Sequence, residues 1–507
     1  MVSAEHTIRP ARATGRLDPL HRDQIIIALF VLASCVFLFV DTRVPPVALQ
    51  DEARNANNAI EMYLRGFSLV TTYNFQPDLW NTKPPLLIWL MTGSMHLFGP
   101  SEWAIRVPSA LAALGTLICT LYFVRRVTGS LTNAVGAGLI LLLSPGFFGE
   151  HGARTADFDA TLTFFLTAAL QLGFFAIHRS KPSHRWMWAL GGLIAAGALT
   201  KSIAAFIPAT GVLVYLIAAS RLGRTISHWP RYLLAGAVAI APLLIFYALR
   251  EAASPGYVDA VLYNDIVGRF SGALNVPTSP SFYVRELILG WSFAGPFLVV
   301  APLAFARLSG RKRLLFLYAA SVACTALVVY SVASNRAVQY ALPIFPWLSI
   351  IGVLTLRYLV QIVLESWRSG KAAQALVVGA GIALTIASLT YLAADWRYNR
   401  FPKRDFYPES SYGDLFKELS ARGVMHVTVV DPGFVHLGKP GYIPLLRWNY
   451  LIWQQKGMHV DHRYVQERAT RGPLASCAPR IVKQWAGSSA EKIGSCALLS
   501  RTVAKRR

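Results

Sequence analysis

Apolar runs recur along this chain from residue 24 to residue 394, parted by short polar loops. They fall at approximately 24–41, 104–124, 131–148, 158–178, 186–200, 202–220, 231–249, 286–306, 314–333, 338–357 and 373–394. The runs have no polar face, so they read as spans of a polytopic α-helical membrane protein and not as helices of a soluble all-α enzyme. The run 186–200 is short for a full span, which leaves a broken pair, or thirteen helices, open. Two connecting loops are long, 42–103 and 250–285, and a third, 149–157, is strongly polar. Ala53–Leu64 is amphipathic and predicts a helix lying in the interface. After Trp396 the chain turns polar, with Pro and Gly breaks and strand-like runs at His426–Val430 and Ala497–Val503. The pattern predicts three parts: an N-terminal segment 1–23, a membrane domain 24–396 and a small α/β domain 397–507. No tandem repeat is visible.

Composition agrees. The 507 residues are 54% hydrophobic and only 15% charged, against about 25% charged in a soluble domain. The net charge of +23 would suit nucleic acid, but its placement does not. Arg125/Arg126, Arg179/Lys181/Arg185, Arg221/Arg224/Arg231, Arg307/Arg311/Lys312/Arg313 and Arg357/Arg368/Lys371 fall in alternate loops, the positive-inside pattern. Arg9, Arg12, Arg16 and Arg22 precede the first apolar run, which lacks a small-residue cleavage site. The run therefore reads as a retained helix with a cytoplasmic start. The N-terminus is then inside, the C-terminus outside, and the helix number odd. Cys35, Cys119 and Cys324 fall in helices as packing residues. Cys477 and Cys496 fall in the outer domain, where a disulfide is expected.

The candidate chemistry sits on the outer side. Asp51-Glu52-Ala53-Arg54 follows the first span, and Asn81-Thr82-Lys83-Pro84-Pro85 stands at the foot of an apolar run. A first-turn acid stabilised by the helix dipole is the plain reading of Asp51. It does not explain why Glu52, Arg54 and Lys83 gather at one face. The chemical reading is Asp51 as general base toward an acceptor hydroxyl, with Lys83 and Arg54 as an anion site. Glu52 reads as the partner of a nearby cation. Lys83 alone would pass for a snorkelling lysine, and Pro84-Pro85 suits a helix start. Asp159 opens the run 158–178, either as a cap or as a second acid that complements Asp51. Lys201, in Thr200-Lys201-Ser202, lies between two apolar runs, where a lysine needs a partner or water; a turn marker is the alternative. Tyr340 and Arg269 read as phosphate ligands or as interfacial anchors. His151 beside Glu150 reads as structural, and no metal is expected.

These motifs, in this order, resemble the GT-C glycosyltransferases, and within them the group of lipid A aminoarabinose transferase and the bacterial relatives of protein O-mannosyltransferase. Asp51-Glu52-Ala53-Arg54 matches the Asp-Glu-x-Arg motif, and Lys83-Pro84-Pro85 the Lys-Pro-Pro motif. Leu97-Phe98-Gly99, Arg106-Val107-Pro108, Asp159, Thr200-Lys201, Arg269-Phe270 and the Tyr340-x-Leu342-Pro343 run also fit. The resemblance covers roughly 45–345. It implies a bacterial inner-membrane enzyme that moves a sugar from a polyprenyl-phosphate donor, with inversion, outside the cytoplasm. Asp51 would be the catalytic acid/base, with Lys83, Arg54, Arg269 and Tyr340 at the lipid phosphate. The family's aminoarabinose transferases carry Glu before Lys-Pro-Pro, whereas this chain has Thr82. That departure bears on any metal and on the aminoarabinose substrate.

The expected partners are the lipid-linked sugar, membrane lipids and an acceptor: lipid A or another lipopolysaccharide part, a protein or a cell-wall glycan. No other cofactor is expected. A polytopic transporter is the alternative from another class. It would place its polar residues near the bilayer midplane, often on repeats, and not along one face. A non-catalytic scaffold leaves the acid and lysine motifs without a reason.

Overall fold

The computed structural model describes residues 19–40, 42–43, 45–149, 151–267, 279, 281–287, 292–334, 336–369, 379, 408–432, 435–436, 439–440, 442–463, 472–487 and 490–499. Seven helical segments there are long and apolar enough to cross a membrane. They are α1 (Pro19–Phe39), α4 (Glu102–Thr128), α6 (Phe158–His178), α7 (His184–Lys201, continued by a 3-10 turn to Phe206), α9 (Trp229–Ala253), α10 (Gly310–Val332) and α11 (Phe345–Ser369, entered through a 3-10 turn from Val338). Shorter helices are α2 (Gln50–Arg65), α3 (Leu86–Phe98), α5 (Leu131–Leu142) and α8 (Thr210–Ala218).

Seven of the eleven apolar runs are thus full-length helices. Three others are shortened or interrupted, each near a proline. The run 131–148 stops at Leu142, and a separate turn starts at Pro145. The run 202–220 becomes the turn Ser202–Phe206 and α8, with Pro208 between them. The run 286–306 resolves into the short helices Gly295–Leu298 and Ala301–Arg307, which hold Pro296 and Pro302. Proline lacks the N–H that a continuing helix needs and crowds the preceding turn. The run 373–394 lies outside the described residues, apart from 379.

Capping fixes the helix starts. Ser101 caps α4 by accepting from the Ala104 N–H, Ser130 caps α5, and Asp157 caps α6. The α4 helix ends at Gly129 in the left-handed conformation, as glycine permits without Cβ crowding. The bundle core is aromatic at its centre. Phe123 packs edge-on against Phe174, Tyr318 against Trp347, and the Tyr318 hydroxyl donates to the Leu170 carbonyl.

A second core covers one end of the bundle. It joins α2 and α3 to the C-terminal region. There, α12 (Tyr412–Ala421) and α13 (Pro444–Gln455) flank a five-stranded sheet. Its strands are β1 (His426–Val430), β2 (His459–Arg463), β3 (Leu474–Ser476), β4 (Glu491–Ile493) and β5 (Cys496–Leu499), in the order β2-β1-β3-β5-β4. β1 is parallel to β2 and β3, while β5 runs antiparallel to β3 and β4. The strand expected at 426–430 is present, and the one expected from 497 appears at Cys496–Leu499. Cys477 and Cys496 form the disulfide.

The α2 helix coincides with the amphipathic segment, and much of it is buried in protein. It packs between α3 and α13, and Glu52, Asn55, Asn57, Asn58 and Glu61 are all buried. Most of its polar side chains find protein partners, although the Asn57 Oδ1 and Arg54 Nε atoms have none among the described residues. Asn57 donates to the Pro444 carbonyl, Asn58 to Asp78, and Glu61 accepts from Arg447.

Candidate active site

Those of the expected site residues that are described converge at the covered end of the bundle and form two adjoining clusters. The first is a cavity of about 250 Å³. Lys83, Asp159, Lys201 and Tyr340 all line it, with Leu162, Ile203 and Val329 among its apolar walls. Lys201 places its Nζ 2.6 Å from both Asp159 carboxylate oxygens and 5.0 Å from the centre of the Tyr340 ring. Lys83 pairs with Asp265, and the Thr82 hydroxyl donates to the same carboxylate.

Local chain geometry sets these positions. Asp159 lies in the first turn of α6, two residues after the Asp157 cap. Lys201 is the last residue of α7. The next residue, Ser202, takes φ +51°, a left-handed conformation that breaks the helix at the cavity wall. A side-chain-bearing residue held there stores strain, which clusters at functional sites. Lys83 sits just before α3, whose start at Pro84-Pro85 leaves the lysine at the helix mouth. The Thr82 carbonyl accepts from the Tyr257 hydroxyl, which ties this stretch to the segment after α9.

The second cluster surrounds Asp51. Asp51 is half-exposed and bonds Arg54 at 2.5 Å. His151 stands 4.0 Å from Asp51 and hydrogen-bonds Asp157. Burial disfavours the charged imidazole, but the Asp157 carboxylate outweighs it, and the pKa of His151 is raised to about 9. Burial likewise works against the Asp157 carboxylate, and His151 beside it holds its pKa below the ordinary value. The pair is therefore an ion pair. His151 is not the isolated histidine that the sequence implied. Asp51, His151 and Asp157 also bring ligand atoms within 4.8 Å of one another. A cation there would have to replace the imidazolium proton, since metal binding needs the neutral ring.

Glu52 has a different task from Asp51. It is fully buried, takes a two-pronged contact from Arg106 at 2.7 and 3.0 Å, and accepts from the Ala156 N–H. Arg106 also donates to the Thr42 and Pro45 carbonyls. One ion pair thus joins α2, α4, the segment before α2 and the loop before α6. Arg54 stands with Asp51 and is not among the cavity-lining residues. Arg269 lies outside the described residues.

The sequence reading left Asp157 and Asp265 without a role and read His151 as structural. Asp157 carried a usable signal, since an acid directly before an apolar run is a helix cap. Asp265 had none: only tertiary packing brings it across to Lys83.

The chain is similar in sequence and fold to several known proteins. Residues 82–247 match the family described as dolichyl-phosphate-mannose-protein mannosyltransferase. An undecaprenyl phosphate-α-4-amino-4-deoxy-L-arabinose arabinosyl transferase of Shewanella sediminis is 30% identical over 307 residues, covering 59% of this chain and 54% of the relative. A putative mannosyltransferase of Bacillus subtilis is 34% identical over 140 residues, 27% of this chain and 19% of the relative. The chain spans about half the length of the arabinosyl transferases it matches. In fold, the chain is similar to ArnT of Cupriavidus metallidurans bound to undecaprenyl phosphate. The TM-score is 0.66 at 17% identity, over 95% of this chain and 99% of the other. The oligosaccharyltransferase AglB of Archaeoglobus fulgidus gives a TM-score of 0.55 at 12% identity, over 90% of this chain and 69% of the other. In its multi-pass helical fold, and in the sequence of residues 82–247, the chain is similar to these membrane glycosyltransferases.

Proposed function

We propose that this chain transfers a sugar from a polyprenyl-phosphate donor to an acceptor hydroxyl or phosphate, with inversion, on the membrane face covered by α2 and the C-terminal sheet. The positive-inside pattern supports reading that face as the extracytoplasmic side of a bacterial inner membrane. One observation carries the reading: Lys83 and Lys201 line a single apolar-walled cavity, and the first turn of α6 joins that cavity to the Asp51 cluster.

The donor phosphate replaces carboxylates as the partner of the two lysines. The lipid tail lies along Leu162, Ile203 and Val329. Asp51 takes the proton of the acceptor hydroxyl as the acceptor oxygen forms its bond to the sugar's anomeric carbon. The bond from that carbon to the phosphate oxygen breaks, and its electron pair leaves with the lipid phosphate. Lys83 and Lys201 stabilise that growing charge in a cavity with little water, where a preorganised cation counts most. Tyr340 and Arg269 complete the phosphate contacts, and Arg54 holds the Asp51 carboxylate in place. Asp159 orients Lys201. Lipid A or another lipopolysaccharide part, a protein and a cell-wall glycan all offer the acceptor group this scheme needs.

The test compares lipid-linked sugars and surface glycans with and without the gene, alongside transfer by the purified protein. Accumulation of a polyprenyl-phosphate sugar and loss of one glycan are expected. Asp51→Asn should lower transfer about 100- to 10,000-fold, the range of a general base, with the protein still inserted. Near-normal transfer by that variant removes Asp51 from the base role. Unchanged glycans together with lost solute uptake would replace the transferase by a transporter.

A further inference from the structure

The opposite end of the bundle holds a second charged cavity that the transfer reaction does not use. It has a volume of about 700 Å³. Four arginines from separate parts of the chain face it: Arg126 in the last turn of α4, Arg179 after α6, Arg221 after α8 and Arg311 in the first turn of α10. An adjoining cavity of about 630 Å³ shares Arg126 and Arg311 and adds Lys312. Among the described residues, no carboxylate lines either cavity. Among the described residues, none of the four arginines pairs with an acid, and Asp23 is already held by Arg125 at 2.6 Å.

Topology alone does not account for this. The positive-inside tendency needs cations in loops, not guanidinium groups gathered around a common concavity. Helix dipoles favour Arg126, at a C-terminus, but disfavour the cations of α10. That helix opens with Arg311, Lys312 and Arg313, has no acid in its first turn, and receives no side-chain cap from Ser309. An anion lodged beside it would offset the dipole and the mutual repulsion together. The rest of the cavity wall is mostly aromatic or aliphatic, with His178 and Tyr122 as its other polar members. Phe174, Phe175 and Leu314 line it, and Arg179 stacks over Trp186 at 4.0 Å.

We propose that this basic cavity binds the phosphodiester headgroup of an anionic membrane lipid. Guanidinium groups meet phosphate oxygens in two-pronged pairs, and basic pockets between membrane helices are a recurrent form of headgroup site. The aromatic wall suits the glycerol and upper acyl carbons of a lipid better than it suits free phosphate.

The full chain in neutral detergent is titrated with phosphatidylglycerol, phosphatidylcholine and inorganic phosphate, and retained lipid is counted by native mass spectrometry. Phosphatidylglycerol should be held at least about tenfold more tightly than phosphatidylcholine, as two-pronged charged hydrogen bonds allow. The Arg126→Gln/Arg311→Gln variant should lose that preference while its lipid-free melting temperature stays unchanged. Arg126→Lys/Arg311→Lys should keep part of it. Lys181→Gln, which removes an exposed charge outside the cavity, should bind as the unaltered chain does. Equal retention of the two lipids overturns the proposal, as does an equal loss in Lys181→Gln. Displacement of phosphatidylglycerol by millimolar inorganic phosphate would assign the cavity to free phosphate and overturn the lipid assignment.

Discussion

At the scale of single residues, the cavity lysines are held by carboxylates. The Lys201 side chain is only 10% exposed, and Asp159 compensates its charge at 2.6 Å. Removing one member of such a pair strands the other, at about 3–5 kcal/mol. Lys201→Met alone should therefore lower both stability and transfer. The double change Asp159→Asn/Lys201→Met should recover most of the melting temperature and none of the transfer rate, which stays down by about 100-fold or more for a lost cation. Thermal unfolding and a purified transfer assay separate the two effects. His151 gives a pH signature. Its folded pKa of about 9 lies above the ordinary 6.5. Its ion pair with Asp157 is thus fully stabilising below about pH 6.5 and is lost as the pH rises through about 9. Melting temperature measured across that window should fall in the unaltered chain, and the fall should be smaller in His151→Gln.

At the scale of elements, α2 illustrates how a pattern is read correctly and placed incompletely. Its acids near the N-terminus and Arg65 in the last turn suit the helix dipole, and its amphipathicity was visible in the chain. Its burial was not. The polar residues Asn55, Asn58 and Glu61 face protein, because the loop around Asp78 and the helix α13 close over them. The pair Glu52–Arg106 is the main brace. Arg106→Met should cost about 3–5 kcal/mol, the range for stranding one buried charge, as measured by denaturation in detergent. A melting temperature unchanged by that substitution would show that the brace is dispensable. The interrupted helices were marked by Pro208, Pro145, Pro296 and Pro302, but proline alone does not say where a helix bends or what the bend exposes. Ser202, whose left-handed backbone sets Lys201 at the cavity, has no signature in its residue type.

At the scale of the whole molecule, one end is covered and carries acids paired with cations, and the other is basic and holds an arginine-lined cavity. The C-terminal region is not a detached unit, since Tyr412, Leu415 and Trp448 share a core with α2 and α3. The disulfide Cys477–Cys496 closes a separation of 19 residues within that region. Loops of this size are worth about 3 kcal/mol in the chain-entropy account. Replacing both cysteines by alanine should lower the unfolding midpoint accordingly. The loss should extend to α2 and be seen as faster hydrogen exchange there, because the two share one core.

The chain by itself determined the membrane class, the sidedness of its charges, the C-terminal strand at 426–430 and the order of the candidate site residues. Hydrophobic period, loop charge and short motifs are local and survive without coordinates. Tertiary structure alone decided which charges meet. Lys83 finds Asp265 from 182 positions away, and Glu52 finds Arg106 across 54. It also divided the first motif, giving Asp51 to a half-exposed cluster and Glu52 to a buried brace. Those pairings depend on the packing of distant helices, and no local pattern encodes that packing.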